Sequence, residues 1–167
     1  MPRGNAVNEY ITVPSEHFAT VWTAAQCVRE GGWQWGVDLK HAHFNVPTSP
    51  MSWKHSGVRW KGAYLVFLKL SFGLRNAPSC FHRFSGAIKR MALKRGAHTL
   101  VCMLDDFWGY APTKERALKD MWCFISLLTE LGISPKWEKV VLPCKDQKFL
   151  GVIIDIAEML LRLDADN

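Results

Sequence analysis

Two adjacent carboxylates, Asp105 and Asp106, are the residues of this sequence whose type and spacing first suggest chemistry. They lie between two apolar runs, residues 99–104 and 107–110, that favour strands, and such an acidic pair predicts a hairpin with the acids at its turn. Two neighbouring like charges repel unless a cation lies between them, and Mg²⁺ prefers hard oxygen ligands. The pair therefore indicates either a magnesium site or an ordinary hairpin turn, in which Asp is common.

A third carboxylate, Asp38, ends an apolar strand-like run just before a turn, much as the pair does. If the two predicted strands are neighbours, Asp38, Asp105 and Asp106 meet at one edge of a sheet. Three acids can hold two Mg²⁺ ions about 3.5–4 Å apart, an arrangement that serves phosphoryl transfer. We therefore expect the three carboxylates to lie within a few ångströms of one another. For Asp38 alone, a strand-end cap is the alternative.

The segment between these acids is strongly basic. The chain has 21 Lys and Arg against 15 Asp and Glu, yet no acid occurs between Asp38 and Asp105. The basic residues of that span are Lys40, Lys54, Arg59, Lys61, Lys69, Arg75, Arg83, Lys89, Arg90, Lys94 and Arg95. The aromatic residues interleaved with them are Trp53, Trp60, Tyr64, Phe67 and Phe72. This pattern suits a polyanion such as nucleic acid, and a solvated basic face is the alternative.

The composition predicts one globular domain. Of the 167 residues, 49% are hydrophobic and 12% aromatic, which is enough to build a core. No apolar run is long enough to span a membrane, and no signal-peptide pattern opens the chain, so we expect no membrane partner. The five Cys are an odd number without CxxC spacing, which favours a reducing, intracellular compartment, either cytoplasmic or nuclear.

The predicted elements alternate between helices and hairpins, after a flexible N-terminus over residues 1–10. Helices are predicted from Ser15 to Gly31, from Asn76 to Gly96 and from Thr113 to Gly132, each between a capping residue and a glycine. The predicted strands are residues 33–39, 57–60, 63–70, 99–104, 107–110, 148–156 and 159–163, and residues 135–143 are predicted to be a connection. Because the strands mostly form hairpins, the fold class is α+β, an antiparallel sheet with helices on one face.

Two histidines close to Asp38 offer a different metal. His41 and His43 could form a transition-metal site with Asp38, since imidazole and carboxylate suit Zn²⁺. In a segment that passes from strand to turn, however, these side chains need not converge. The sequence alone leaves this alternative open.

Five segments of the sequence occur in the order and spacing of known motifs. They are DLKHAHFNVP at residues 38–47, LSFGLRNAP at 70–78, LDD at 104–106, residues 131–139, and FLGVIID at 149–155. Together they resemble the five palm motifs of reverse transcriptases, most closely those of DIRS-like and other tyrosine-recombinase retrotransposons. The similarity runs from about residue 11 to the end of the chain.

The resemblance implies a polymerase palm with partial fingers over residues 11–167, without a thumb or an RNase H domain. It implies an RNA-directed DNA polymerase that transfers deoxynucleotides to a primer 3′ end with two Mg²⁺ ions, or Mn²⁺. Asp38, Asp105 and Asp106 would bind the metals, together with the Leu39 carbonyl. The implied partners are an RNA or DNA template-primer, dNTPs and possible further chains that supply fingers or thumb.

The resemblance also assigns roles around the carboxylates. His41, Ala42 and His43 would lie beneath the triphosphate and sugar of the nucleotide, with His43 at the steric-gate position. The residues implied to line the nucleotide and template are Phe72, Gly73 and Arg75. Lys139 would protonate the departing pyrophosphate. The residues implied to position the primer end are Phe149, Leu150 and Gly151.

The sequence departs from the family pattern at a few positions. Met103 replaces the usual aromatic residue before the third motif, Ser71 replaces a proline, and His41 and His43 are atypical in the first motif. Little sequence precedes Asp38 that could form complete fingers. The alternative function is therefore a degenerate or repurposed palm that acts as a non-catalytic nucleic-acid-binding or assembly module.

Overall fold

The structure, a computed structural model, describes residues 7–163. Its α-helices are α1 (Val21–Ala25), α2 (Pro50–Trp53), α3 (Ala77–Lys94) and α4 (Lys114–Glu130). Its strands are β1 (Trp33–Asp38), β2 (Gly57–Trp60), β3 (Ala63–Val66), β4 (Thr99–Met103), β5 (Asp106–Ala111), β6 (Val141–Cys144), β7 (Asp146–Phe149), β8 (Val152–Asp155) and β9 (Leu160–Leu163). Short 3₁₀ helices cover Val7–Glu9, Ala42–Asn45 and Trp137–Lys139. Of the predicted flexible start, residues 1–6 lie outside the described residues.

A four-stranded antiparallel sheet in the order β4-β5-β1-β6 forms the centre of the fold. Strand β5 is hydrogen-bonded to a neighbour on each side, so it is an interior strand. Its side chains alternate between the two faces, and Phe107 and Trp108 are both fully buried on opposite faces. A strand that is covered on both faces usually consists of a nearly continuous run of apolar residues, as residues 107–111 do.

The two long helices cover one face of this sheet. Helices α3 and α4 pack against β1, β4 and β5, with Trp35, Phe107 and Phe124 in the shared core. The Thr113 side chain accepts a hydrogen bond from the Arg116 backbone N–H at 3.2 Å and caps α4. Gly96 and Gly132, both with positive φ, follow the ends of α3 and α4. The α+β fold with its antiparallel sheet is therefore confirmed.

The opposite face carries a second apolar cluster. The three-stranded sheet β7-β8-β9 and the short helix α1 contribute Phe149, Ile154 and Ala24, which pack with Trp108. Gln34 joins these layers with buried hydrogen bonds: its amide nitrogen donates to the Lys145 and Ile154 carbonyls, and its oxygen accepts from the Trp108 indole at 2.8 Å. The central sheet is thus covered on both faces, with the two long helices on one of them.

Four segments differ most clearly from the sequence prediction. The first helix begins at Val21 rather than after Ser15, because Glu16 instead binds the side chains of Arg83 and Ser79 on α3. The predicted connection 135–143 contains the start of β6, which pairs with β1 at the sheet edge. The single predicted strand 148–156 is two strands, since the chain reverses at Leu150 and Gly151, both with positive φ. Strand β3 also ends four residues before the predicted limit.

The buried stripe of α4 matches the predicted one in part. The prediction placed Leu118, Met121, Trp122, Ile125 and Leu128 on the core side. Met121, Ile125 and Leu128 are buried as predicted, whereas Leu118 and Trp122 are exposed. Ala117 and Phe124 also join the core. Leu118 and Trp122 each follow a buried residue, Ala117 and Met121, by one position. Adjacent residues are about 100° apart around a helix, so these two side chains point away from the core. No helix among residues 7–163 is long and apolar enough to cross a membrane.

Candidate active site

Strand register brings two of the three predicted carboxylates together. Asp38, the last residue of β1, is the pairing partner of Asp106, the first residue of β5. Directly opposed residues on antiparallel strands have their Cβ atoms about 5 Å apart on one face of the sheet. Asp105 lies in the turn before β5, and its carbonyl accepts a hydrogen bond from the Leu39 backbone N–H at 3.0 Å. This bond ties the turn to the end of β1.

All three carboxylates line one cavity of about 620 Å³. Its wall also includes Lys139, the β7 residues Gln147 and Lys148, and the turn residues Leu150 and Gly151. The cavity therefore lies between the end of the central sheet and the turn that joins β7 to β8. Sequence reasoning missed Gln147 and Lys148, whose short strand was predicted with a different boundary.

Burial and neighbouring negative charge raise the pKa of Asp105 and Asp106. Burial raises the pKa of Asp106 to about 6, and the negative charges of Asp38 and Asp105 add to the effect. Burial also raises the pKa of Asp105, with a smaller contribution from the charge of Asp38. Such mutual repulsion in a half-buried site favours a bound cation. These shifts therefore support the predicted magnesium chemistry at this edge of the sheet.

A lysine supplies positive charge to the site. The Lys139 ammonium donates a hydrogen bond to Asp38 Oδ2 at 2.9 Å, and this contact raises the pKa of Lys139. The other carboxylate oxygen, Asp38 Oδ1, is buried and has no hydrogen-bond partner. An orphaned buried carboxylate oxygen is costly unless a ligand satisfies it. The site can therefore bind more positive charge than the Lys139 ammonium provides.

The donor set fits a hard divalent cation. The carboxylates of Asp38, Asp105 and Asp106 offer oxygen ligands, which Mg²⁺ prefers. Within residues 7–163, however, no three His, Cys, Asp or Glu side chains are close enough together to hold a metal ion as they stand. The Lys139 contact occupies one Asp38 oxygen instead. Ligation would therefore require the carboxylates to change rotamer.

His43 is a buried aromatic partner rather than a surface imidazole. Its ring stacks on Phe81 with centroids 4.7 Å apart and contacts Phe72 at 4.8 Å. Burial lowers the pKa of His43, which the nearby Asp105 charge opposes in part. Burial therefore favours the neutral form of the imidazole. Its packing between two phenyl rings gives no support to the transition-metal alternative with His41.

The remaining predicted nucleotide-binding residues lie on two adjoining turns. His41 and Ala42 both have positive φ, which bends the chain sharply after β1. Phe72 is exposed and packs against His43, so the loop after β3 reaches the same region. The side chain of Asn8 accepts from the Arg75 backbone N–H and donates to the Gly73 carbonyl, both at 2.8 Å. Gly73 and Arg75 are thus held through their backbones.

The predicted primer-grip residues differ among themselves in exposure. Phe149 is fully buried and packs on Trp108, with ring centroids 6.3 Å apart. Leu150 and Gly151 form the turn after it and line the carboxylate cavity. Of this trio, therefore, the turn residues can meet a ligand, whereas Phe149 anchors the turn in the core. The assigned roles of all these residues stay predictions.

Known proteins share both the sequence pattern and the fold. The family model "Reverse transcriptase (RNA-dependent DNA polymerase)" matches residues 17–154. The retrovirus-related Pol polyprotein from transposon 297 of Drosophila melanogaster is 26% identical over 118 residues, which is 71% of this chain and 11% of that protein. This chain thus spans a small part of that relative. The DIRS-like subgroup stays a prediction.

The solved foamy viral protease-reverse transcriptases have the same fold. The dRH form in complex with double-stranded DNA superposes with a TM-score of 0.83 at 20% identity, over 96% of this chain and 27% of that one. The form in complex with an RNA/DNA hybrid gives a TM-score of 0.81 at 20% identity, over 96% of this chain and 21% of that one. With its ordered motifs, its palm-like sheet and the family model over residues 17–154, the chain belongs to the reverse transcriptase (RNA-dependent DNA polymerase) family.

Proposed function

We propose that this chain is the catalytic palm of a retroelement reverse transcriptase, which adds deoxynucleotides to a primer 3′ end. The pairing of Asp38 with Asp106, beside Asp105 in the adjoining turn, is the observation that carries the proposal. It brings distant parts of the sequence to one cavity, and the electrostatics of that cavity favour a cation. An ordinary acidic turn would not need a third carboxylate on the neighbouring strand.

Reverse transcriptases generally use divalent metal ions, and the donor set described above fits Mg²⁺, with Mn²⁺ as a substitute. The Asp38, Asp105 and Asp106 carboxylates and the Leu39 carbonyl would hold it. When bound, two such ions stabilise the attacking and the leaving oxygens of phosphoryl transfer. The chain itself fixes the spacing of the carboxylates, because β1 and β5 are paired in register and covered on both faces.

The surrounding residues supply positioning and proton transfer. His41, Ala42 and the buried ring of His43 form the floor on which the nucleotide sugar and triphosphate would lie. His43 is held between phenyl rings, so a change in its size would move the floor. The loop residues assigned to the nucleotide and template side are Phe72, Gly73 and Arg75. Lys139, which is hydrogen-bonded to Asp38 in the cavity, would donate a proton to the departing pyrophosphate.

Nucleic acid is the proposed macromolecular partner. The acid-free segment between Asp38 and Asp105 carries the basic residues, and foamy viral proteins of the same fold are complexed with double-stranded DNA and with an RNA/DNA hybrid. We assign residues 11–167 to a palm with partial fingers, completed by further fingers and thumb segments from a longer or a second chain. Leu150 and Gly151 would contact the primer end. The compartment we assign is the cytoplasm or the nucleus.

Primer extension with Mg²⁺ or Mn²⁺ tests this function. The assay compares the wild-type chain with Asp106→Asn and with Asp146→Asn, a matched change at an exposed carboxylate outside the cavity. We expect Asp106→Asn to lower incorporation on the order of a hundredfold or more, since it removes charge stabilisation from the transition state. We expect Asp146→Asn to behave as wild type.

The assay also separates the two functional classes. Incorporation by the wild-type chain that survives in Asp106→Asn would contradict the assigned role of the carboxylates. No incorporation, with salt-dependent nucleic-acid binding intact, would instead favour a non-catalytic binding module. Binding and incorporation are therefore measured on the same preparations and on the same template-primer.

A further inference from the structure

The contact between Lys139 and Asp38 joins two segments that are also tied through their backbones. Lys139 ends the 3₁₀ helix Trp137–Lys139, and the Lys136 backbone N–H donates to the Asp38 carbonyl at 2.8 Å. The Lys139 ammonium then reaches Asp38 Oδ2 at 2.9 Å. The Asp38 side chain is 15% exposed and that of Lys139 is 56% exposed. The carboxylate is therefore mostly buried, whereas the lysine side chain is largely exposed and can leave toward solvent.

The same carboxylate shows an incomplete set of contacts. Lys139 engages Oδ2, while Asp38 Oδ1 is buried without a hydrogen-bond partner. Asp105 and Asp106 line the same cavity, and their negative charges act on Lys139. Lys139 thus sits among three carboxylates, which is the place that a divalent cation would take.

We propose that Lys139 is the resident counter-ion of the metal-free site, and that a divalent cation displaces it from Asp38. This inference rests on the proposed function of the same site. It explains why the carboxylates within residues 7–163 do not already form a three-ligand group, since Asp38 is turned toward an ammonium. A divalent cation bound to Asp38 would repel the ammonium at close range, so metal binding weakens the ion pair and favours release of the lysine.

The displacement gives Lys139 a positioning role before any chemistry. While the ion pair is formed, it offsets part of the repulsion among the carboxylates and keeps Asp38 on one rotamer. Once a metal binds Asp38, the ammonium is free to swing within the cavity toward a departing phosphate. Metal occupancy therefore controls whether the lysine is available as a proton donor.

Metal affinity of the full chain, measured without substrate, tests the competition. Mn²⁺ titrations followed by electron paramagnetic resonance compare wild type, Lys139→Met, Lys136→Met and Asp38→Asn. Lys136 is the matched control because it lies three residues earlier and does not line the cavity. We expect Lys139→Met to bind Mn²⁺ roughly three- to fivefold more tightly than wild type, the upper part of the range for a partly exposed ion pair. We expect Lys136→Met to stay within about twofold of wild type, because screening weakens more distant charges.

A second measurement separates displacement from simple charge repulsion. Acetylation of lysine ε-amines, followed by peptide mass spectrometry, reports how accessible each ammonium is. We expect Mn²⁺ to increase the acetylation rate of Lys139 severalfold while leaving that of Lys136 unchanged. Tighter binding by Lys139→Met without this increase would overturn displacement, because repulsion alone does not release the side chain.

The outcomes also distinguish a failure of this inference from a failure of the proposed function on which it rests. If wild type binds Mn²⁺ through Asp38 but Lys139→Met binds equally or more weakly, the counter-ion role is wrong and the metal site stands. If wild type does not bind Mn²⁺, or Asp38→Asn binds as well as wild type, the proposed function fails, and the inference fails with it.

Discussion

Two antiparallel hairpins of this molecule contrast in how they are held. The β4-β5 hairpin carries Asp105 and Asp106, and most of its strand residues are buried between helices and a second sheet. The β2-β3 hairpin has a similar two-residue turn, at Lys61 and Gly62, but every residue of its strands is exposed. The first hairpin is positioned by packing on both faces, whereas the second is held by its own ladder.

Because the two hairpins are held differently, substitutions in them should affect different properties of the protein. Substitutions around the carboxylates should change the free energy of unfolding, because the same contacts that position Asp38 and Asp106 also build the core. Substitutions on the β2-β3 hairpin should leave stability almost unchanged and act on whatever the hairpin binds.

Gln34 is the polar link behind the carboxylates, and its loss should have the largest effect on stability. Gln34→Leu removes the side-chain partner of the Trp108 indole N–H and of the Ile154 carbonyl, whereas the Lys145 carbonyl keeps the Ile156 backbone N–H at 2.7 Å. Each orphaned buried group costs about 1–3 kcal/mol, so we expect a loss of about 3 kcal/mol or more in urea unfolding.

An exposed glutamine provides the control for this substitution. Gln26→Leu at the end of α1 should change the free energy of unfolding by no more than about 0.5 kcal/mol. A Gln34→Leu protein as stable as wild type would show that the two sheets do not depend on this amide.

The carboxylates themselves should make the metal-free protein less stable at neutral pH. Asp106 titrates near pH 6 in the folded protein, above its ordinary value of 3.8. The folded state then binds a proton that the unfolded state lacks between about pH 4 and 6, so this contribution to stability is lost as pH rises through that window. A shift of this size corresponds to about 3 kcal/mol at most.

Asp106→Asn removes this dependence. In chelator-treated samples at pH 7, we expect the variant to be more stable than wild type by about 2–3 kcal/mol, with the difference vanishing near pH 4. Chemical unfolding at several pH values measures the difference between the two proteins and thereby cancels the contributions of other groups. A variant less stable than wild type at pH 7 would mean that Asp106 is not repelled in the folded state.

Local sequence signals predicted much of this architecture. Thr113 caps α4 with its side chain, Asn76 precedes α3 without a side-chain cap hydrogen bond, and Gly96 and Gly132 follow the two helices; such signals depend on neighbours within a few positions. The acidic hairpin was visible for the same reason. Its register with Asp38 was an inference across 67 intervening residues, and it rested on motif order rather than on local pattern.

Contacts between distant segments account for what the sequence did not reveal. Gln34 is polar, yet it is fully buried and hydrogen-bonded to residues that lie 74 to 120 positions away in the chain. The sequence around Gln34 therefore gives no sign of its burial. Glu16 binds Arg83 instead of opening a helix. The pairing of Lys139 with Asp38 likewise depends on the fold, since the two residues are 101 positions apart. Polar tertiary contacts of this kind leave no periodic trace in a single sequence.

Gly109 tests how tightly the carboxylate-bearing strand is packed. A Cβ at Gly109 in β5 would overlap the indole ring of Trp35, which is fully buried and cannot move aside. We expect Gly109→Ala to lower the free energy of unfolding by about 1–3 kcal/mol through overpacking. Thermal and urea unfolding measure the loss.

The same change at Gly86 should have the opposite sign. In helix α3, a Cβ at Gly86 would meet the end of the Arg90 side chain at 3.6 Å, an ordinary contact. Because alanine favours a helix over glycine, Gly86→Ala should be neutral or stabilising by up to about 1 kcal/mol. Equal losses at Gly86 and Gly109 would show that β5 is no more tightly packed than the helix surface.

The smallest stability effect is expected on the exposed hairpin, where Trp60 is 64% exposed beside Lys61. Trp60→Ala should leave the free energy of unfolding within about 0.5 kcal/mol of wild type. If this hairpin contacts single-stranded template, the same substitution should weaken oligonucleotide binding by about 1–3 kcal/mol, the contribution of one stacked base. Fluorescence anisotropy with a labelled single strand measures the second effect.

Val58→Ala is the matched control, because Val58 lies two positions earlier in β2 and is also exposed. It removes apolar area without removing an aromatic ring, so we expect both stability and oligonucleotide affinity to stay close to wild type. Equal losses of affinity at Val58 and Trp60 would indicate apolar packing rather than base stacking. A large loss of stability at Trp60 would instead remove the contrast between the two hairpins, because both would then be held by packing.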